Sequence, residues 1–338
     1  MMTDRTSRPQ PRRRYPRGPR VRLAAAAGAA AGALVLSSCG LGTAGGYVPS
    51  GTIAGPLAGV DLEGADVAVG SKNFTEQVIL GTMMVILLNS AGADAEDLTN
   101  IPGSSSTRQA LLEGIIDFQW EYTGTAWITY MGQTDPIPDA TQQWEAVRDI
   151  DRDNGLEWLP PAELDNTYAF VLTEDRAAEL GVESLADIAD LDQAEVSFCV
   201  DAEFLARSDG FRPMLEAYSI PDVPDARLRI LDIGAIYQAV ANGECTFGEA
   251  FATDGRIPAL NLATLEDPLP YFPRYNLSGV VGQQALDEHP EIATIVDELT
   301  SRLDNDTMAA LNQRVDVDGQ EPATVAWEWL LDEGLVTE

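Results

Sequence analysis

From residue 66 onward, short apolar runs rich in β-branched residues take turns with helix-forming stretches, and few architectures tolerate that order. ADVAVGS reads as a strand, and Asn73 to Asn89 as a helix with an apolar stripe of Val78, Ile79, Met83, Ile86 and Leu87. LTNIPG follows as a strand ending in a turn, 106–114 as a second helix, and DFQWEYTG as a strand with its exit loop. Strand, helix, strand, helix, strand predicts an α/β layer of parallel character. A polar helical stretch over 135–165 and a break at Pro160-Pro161 lead into TYAFVL, which opens a second such run. In that run a helix over 185–191, AEVSFCV, a helix over 210–218, ARLRILDIG, a helix over 236–242 and CTFGEAF succeed one another. ATLEDPLPYFPRYNLSGVVG reads as a strand punctuated by prolines, and helices over 290–303, 306–315 and 322–333 finish the chain. Two units joined near 163–170 and 264–280, the first completed by the C-terminal helices, predict a hinged, two-lobed binding protein.

Charge removes several functions. With 54 acids against 21 lysines and arginines the net charge is −33, which repels nucleic acid and anionic lipid headgroups. One histidine, His289, and three cysteines cannot assemble a His₃ or Cys₄ metal centre from one copy, and no cofactor is expected. His289 stands before Pro290 at a helix entrance and reads as a surface group. Ser104 to Thr107 reads as a loop followed by a helix cap rather than a nucleophile elbow. Carboxylates are too common for any pair to mark a glycosidase, so no catalytic residue is assigned and no enzyme is expected.

The N-terminus is charged differently. Eight arginines against Asp4 give residues 1–39 a charge of +7, leaving −40 for the remainder. A short apolar run of small residues follows, ending in Leu36-Ser37-Ser38-Cys39. This is the layout of a secretory leader, and its end resembles a bacterial lipobox, in which Cys39 becomes the lipid-bearing first residue. An ordinary signal peptide or a retained anchor are the alternatives. Residues 40–65 are rich in glycine and read as a flexible tether. No later segment reaches roughly 18 uninterrupted apolar residues, so a soluble body is expected. Cys199 and Cys245 then remain for an oxidising compartment, either bonded to each other or as two buried thiols.

Lys72 is the only lysine, placed in GSKNFTE where the first strand meets the first helix. A cation beside free helix N–H groups suits a carboxylate, although a lone surface lysine is the plain alternative. Gln119 to Thr125, with Trp127 and Tyr130, puts aromatics at a strand exit, where open α/β sheets place ligands; filling a core is the plain alternative here too. Tyr168, Phe247, Phe251 and the Tyr271-Phe272-Pro273-Arg274-Tyr275 segment add further rings. Rings and one lysine, with no histidine near, suit a quaternary ammonium ion, which cannot donate N–H bonds and is held by ring quadrupoles. A betaine adds a carboxylate that needs a cation.

GSKNFTEQVILGTM, GSSSTRQALLEGIIDFQWEYTGTAW, LDNTYAFVLTED, DIGAIYQAVANGE, FATDGRIPALNL, EDPLPYFPRYN and LNQRVDVDGQEPATVAWEWL, in this order over about 66–334, are similar to OpuAC/ProX-type substrate-binding proteins of quaternary ammonium importers. The resemblance implies a type II periplasmic-binding-protein fold with two hinge crossovers, closing on a ligand between its lobes. Lobe I would comprise 66–165 and 271–338, and lobe II 166–270. It implies an aromatic cage of Tyr122, Tyr168, Phe251 and Tyr275, with Phe251 where relatives commonly carry Tyr and Asn166 where they often carry Asp. Lys72, Thr125 and Arg207 would take the carboxylate. Betaine would then be preferred over choline, since a buried Lys–Arg pair facing choline is left unneutralised. Arg256 would support the hinge or a lobe surface. The implied partners are a small quaternary ammonium ligand and an ABC permease. The implied protein is a monomer, lipid-anchored at the outer face of the cytoplasmic membrane, with choline or carnitine specificity, or a sensory module, as alternatives.

Overall fold

The computed structural model describes residues 48–338. The leader and Cys39 lie outside the described residues.

The first sheet has the order β3-β2-β4-β11-β5, built from β2 (Asp66–Lys72), β3 (Asp94–Ile101), β4 (Phe118–Tyr122), β5 (Leu156–Trp158) and β11 (Leu277–Gly282). β2 runs parallel to β3 and β4. The parallel steps are made by helix crossovers: α1 (Thr75–Ser90) joins β2 to β3, and α2 (Ser104–Leu112) joins β3 to β4. β11 arrives from the other sheet and lies antiparallel to both β4 and β5. The second sheet has the order β10-β6-β9-β7-β8, from β6 (Tyr168–Thr173), β7 (Phe198–Val200), β8 (Leu228–Ile230), β9 (Phe247–Phe251) and β10 (Leu262–Thr264). β7 is parallel to β8 and β9, while β6 is antiparallel to β9 and β10. The chain crosses between the sheets twice, after β5 and again between β10 and β11. Both sheets are open, mixed and flanked by helices, the two-lobed type II periplasmic-binding-protein architecture.

Three local expectations change. α1 is buried on nearly every side from Ile79 to Leu88, not along one stripe, because it lies between the β2–β3 surface and the helices Asn305–Asp316 and Pro322–Asp332. The proline-punctuated stretch is not one strand. Pro268, Pro270 and Pro273 occupy the irregular second crossover, where the missing N–H costs no ladder bond. The tether expected over 40–65 is, from β1 (Thr52–Ile53) on, part of the packed body. β1 pairs antiparallel with β12 (Val336–Thr337), and Leu57, Leu62 and Ala65 are buried. Burial of three apolar side chains outweighs the freedom expected of a glycine-rich segment.

Cys199, on β7, and Cys245, just before β9, form a disulfide inside the second sheet's layer, with Cα atoms 5.8 Å apart. Among the described residues no helix is long and apolar enough to cross a membrane.

Candidate ligand site

Strand register gathers the rings. Tyr168 opens β6 directly opposite Phe251, which ends β9, and their centroids are 5.4 Å apart. Tyr122 ends β4 opposite Leu277, so Tyr275, two residues earlier, returns beside it from the second crossover. Tyr275 meets Tyr168 edge-on at 5.4 Å and 87°. Gly124 makes this approach possible, since a Cβ there would lie 2.6 Å from the Arg274 carbonyl oxygen and 2.8 Å from the Tyr275 ring. Phe74, at the entrance to α1, joins the group at 5.1 Å from Phe251 and 6.3 Å from Tyr122. The five rings face one cavity of about 740 Å³, together with Lys72, Thr125 and Asn166. That volume suits a small organic ligand, typically about 300–1,000 Å³. Arg207 stands one layer back, with its guanidinium carbon 5.3 Å from the Tyr168 ring centre and 5.8 Å from that of Tyr275.

The basic residues are not bare charges. Lys72 is buried, lies 4.7 Å from the Tyr122 ring centre, and donates to Glu121. The Glu121 carboxylate also accepts the Tyr122 N–H at 2.7 Å and the Tyr130 hydroxyl at 2.5 Å. Arg207 grips Asp209 with two bonds of 2.7 and 2.6 Å and donates to the Tyr275 hydroxyl at 3.0 Å, while that hydroxyl donates to Asp209. Its Nη1 is buried with no hydrogen-bond partner among the described residues, 3.9 Å from Glu203. A cationic ligand therefore leaves no unneutralised Lys–Arg pair, which corrects the expected reason for rejecting choline. Acids prevail elsewhere on the wall, where Asp201, Glu203 and Asp232 line the cavity. Behind them Glu249 is pushed well above the usual carboxylate range by burial, with Asp201 adding to the shift.

Glu203 spans the cleft. It rises from the helix Ala202–Ala206 beside the second sheet and accepts the Ser104 N–H at 3.1 Å and the Ser104 hydroxyl at 2.5 Å, at the start of α2 beside the first. A carboxylate here satisfies an otherwise free N–H of α2.

Glu76, in the first turn of α1, is buried behind the ring wall. One carboxylate oxygen accepts from the Tyr122 hydroxyl at 2.5 Å and Asn166 Nδ2 at 3.0 Å, the other from Thr253 Oγ1 at 2.5 Å and Asn312 Nδ2 at 3.1 Å. Burial raises its pKa, against the lowering effect of the four donors. Asn166 serves here as a donor, a role an aspartate could not fill while ionised. Arg256 pairs with Asp254 and Asp316 over the Tyr237 ring, away from the cavity wall.

Sequence reasoning missed Phe74, Glu76, Glu121, Glu203 and Asp209. The first two stand in SKNFTE beside Lys72, so the motif held a signal that spacing alone did not assign. The three partner acids carried none in so acidic a chain.

The family model described as the substrate binding domain of ABC-type glycine betaine transport systems matches residues 65–332. A glycine-betaine-binding protein of Pseudomonas aeruginosa is 37% identical over 80% of this chain and 88% of its own. Two solved structures share the fold. One, described as a glycine betaine/carnitine/choline ABC transporter, is 26% identical with a TM-score of 0.66, covering 79% of this chain and 98% of its own. The other, ligand-free YehZ from Escherichia coli, is 30% identical with a TM-score of 0.61, covering 80% and 99%. The chain belongs to the family of substrate-binding domains of ABC-type glycine betaine transport systems, whose members bind and deliver a solute rather than catalyse a reaction.

Proposed function

We propose that this protein captures glycine betaine, proline betaine or a close relative outside the cytoplasmic membrane and hands it to an ABC permease. The observation that carries this reading is the convergence of Phe74, Tyr122, Tyr168, Phe251 and Tyr275 on one cavity. Ring faces attract a methylated ammonium electrostatically and by dispersion, and it asks for no hydrogen-bond acceptor there. Lys72 and Thr125 on the same wall provide donors for a carboxylate, while Arg207, paired with Asp209, holds the Tyr168 and Tyr275 rings from behind. Phe251 keeps the ring face and gives up a hydroxyl contact.

In this reading the lobes are 66–165 with 271–338, and 166–270, and the ligand favours the closed form because its walls come from both. Lipidation of Cys39 would tether the protein at the outer face of the membrane, acting as a monomer. A choline reading has its own support, since Lys72 and Arg207 already hold carboxylates and acids line the remaining wall. Calorimetric titration with glycine betaine, proline betaine, carnitine and choline tests the assignment. Betaines are expected to bind more tightly than choline. Equal or tighter choline binding would transfer the assignment to choline, and no heat with any of the four would end it.

A further inference from the structure

Glu76 takes no part in holding the ligand as described above, yet its surroundings are unusual for a structural acid. Among the described residues, all four groups bonded to it are uncharged, two on each oxygen, so every favoured lone-pair direction is used while no cation pairs with the negative charge. Two of those donors, Asn166 and Asn312, offer N–H groups that cannot accept a proton from the acid, so they favour the carboxylate against the burial that raises its pKa. The donors also connect it to the cage. Tyr122 and Asn166 line the cavity, and Glu76 shares a small void with Phe74, Asn166 and Phe251 on the far side of the rings. The cations near the site are committed elsewhere: Lys72 to Glu121, Arg207 to Asp209, and Arg256 to Asp254 and Asp316.

Resting on the quaternary ammonium reading, we propose that Glu76 is a positioning residue that sets the charge specificity of the cage. Its buried anion, one hydrogen bond behind Tyr122, makes the ring wall prefer a permanent cation over an uncharged group of the same shape. Two effects act together. A phenol that donates to a carboxylate carries a more electron-rich ring, which strengthens its attraction for a cation. The carboxylate also acts through space across a wall that excludes water, where screening is weak.

The test compares glycine betaine with 3,3-dimethylbutyrate, in which a carbon replaces the ammonium nitrogen while shape and carboxylate are kept. Calorimetry gives the ratio of the two affinities in the wild type and in Glu76→Gln. The ratio is expected to fall by about tenfold, with the loss falling on glycine betaine. Equal losses for both ligands, or an unchanged ratio, would overturn the proposal, because a purely structural acid weakens both alike. If Glu76→Gln does not fold, as judged by its melt, the same ratio is read in Tyr122→Phe, which keeps the ring and removes its bond to Glu76. A smaller fall is expected there, and no fall overturns the proposal. A wild type that does not distinguish the two ligands overturns the ligand reading and the inference together. A wild type that does distinguish them, with a ratio unchanged by both substitutions, overturns the inference alone.

Discussion

Replacing Lys72 by Met removes one end of a buried ion pair and one donor to the ligand, and the two losses fall on different measurements. In the ligand-free protein Glu121 keeps the Tyr122 N–H and the Tyr130 hydroxyl but loses its only cation among the described residues. Breaking a buried pair from one side costs about 3–5 kcal/mol of stability. The retained donors place Lys72→Met at the lower end of that range. In the complex the variant loses a charge-assisted bond to the carboxylate, about 1.5–3 kcal/mol, or roughly 10- to 150-fold in glycine betaine affinity. Choline has no carboxylate, and the uncovered Glu121 charge attracts it, so its affinity is expected to hold or rise. The double variant Lys72→Met/Glu121→Gln removes the stranded charge. It should recover stability without recovering glycine betaine affinity. Thermal melts and calorimetry with both ligands separate these effects. Equal losses for glycine betaine and choline would refute the carboxylate role of Lys72, and an unchanged melt in the single variant would refute the account of the pair.

Three further outcomes are expected. Because burial raises the Glu249 pKa, the native state holds a proton that the unfolded chain releases; stability is full below the ordinary carboxylate range and declines as pH rises through the raised value. Glu249→Gln should therefore melt higher than wild type near pH 8 and lose that advantage toward pH 4, whereas a constant difference would contradict the linkage. The Cys199–Cys245 bond closes a separation of 46 residues, for which loop entropy gives about 4 kcal/mol, so Cys199→Ala/Cys245→Ala should melt well below wild type in calorimetry. A melt within a degree or two would show that the bond adds little. Ser104→Ala removes the hydroxyl half of the contact with Glu203, and Glu203→Gln its charge; each should raise the ligand-free radius of gyration in solution scattering and weaken ligand severalfold, about 1 kcal/mol. Unchanged scattering in both would mean that this bond does not hold the lobes together.

Much of the architecture was written locally. Hydrophobic periodicity and turn residues act over a few positions, so β2, α1, β3, α2 and β4 could be traced in order, as could the three long C-terminal helices. β5, a three-residue strand, and the helices Glu174–Leu180 and Gln283–Glu288 escaped notice, being too short for periodicity to register. The family motifs marked Lys72, Tyr122, Thr125, Asn166, Tyr168, Arg207, Phe251 and Tyr275; all but Arg207 line one cavity, and Arg207 stands behind Tyr168 and Tyr275 instead.

What the sequence determined by itself is the alternation of strands and helices and the kinds of side chain available to the site. Only the tertiary structure decided how those side chains are paired. Among 54 acids, nothing in the order of residues selects Glu121 for Lys72 or Asp209 for Arg207, nor assigns Glu76 to Tyr122, Asn166, Thr253 and Asn312. The same holds for the Cys199–Cys245 bond, which the sequence left open between a disulfide and two thiols. Propensity and periodicity are properties of near neighbours along the chain. The sign and strength of charge at the cavity depend instead on register and side-chain reach between segments as much as 236 residues apart, as Glu76 and Asn312 are.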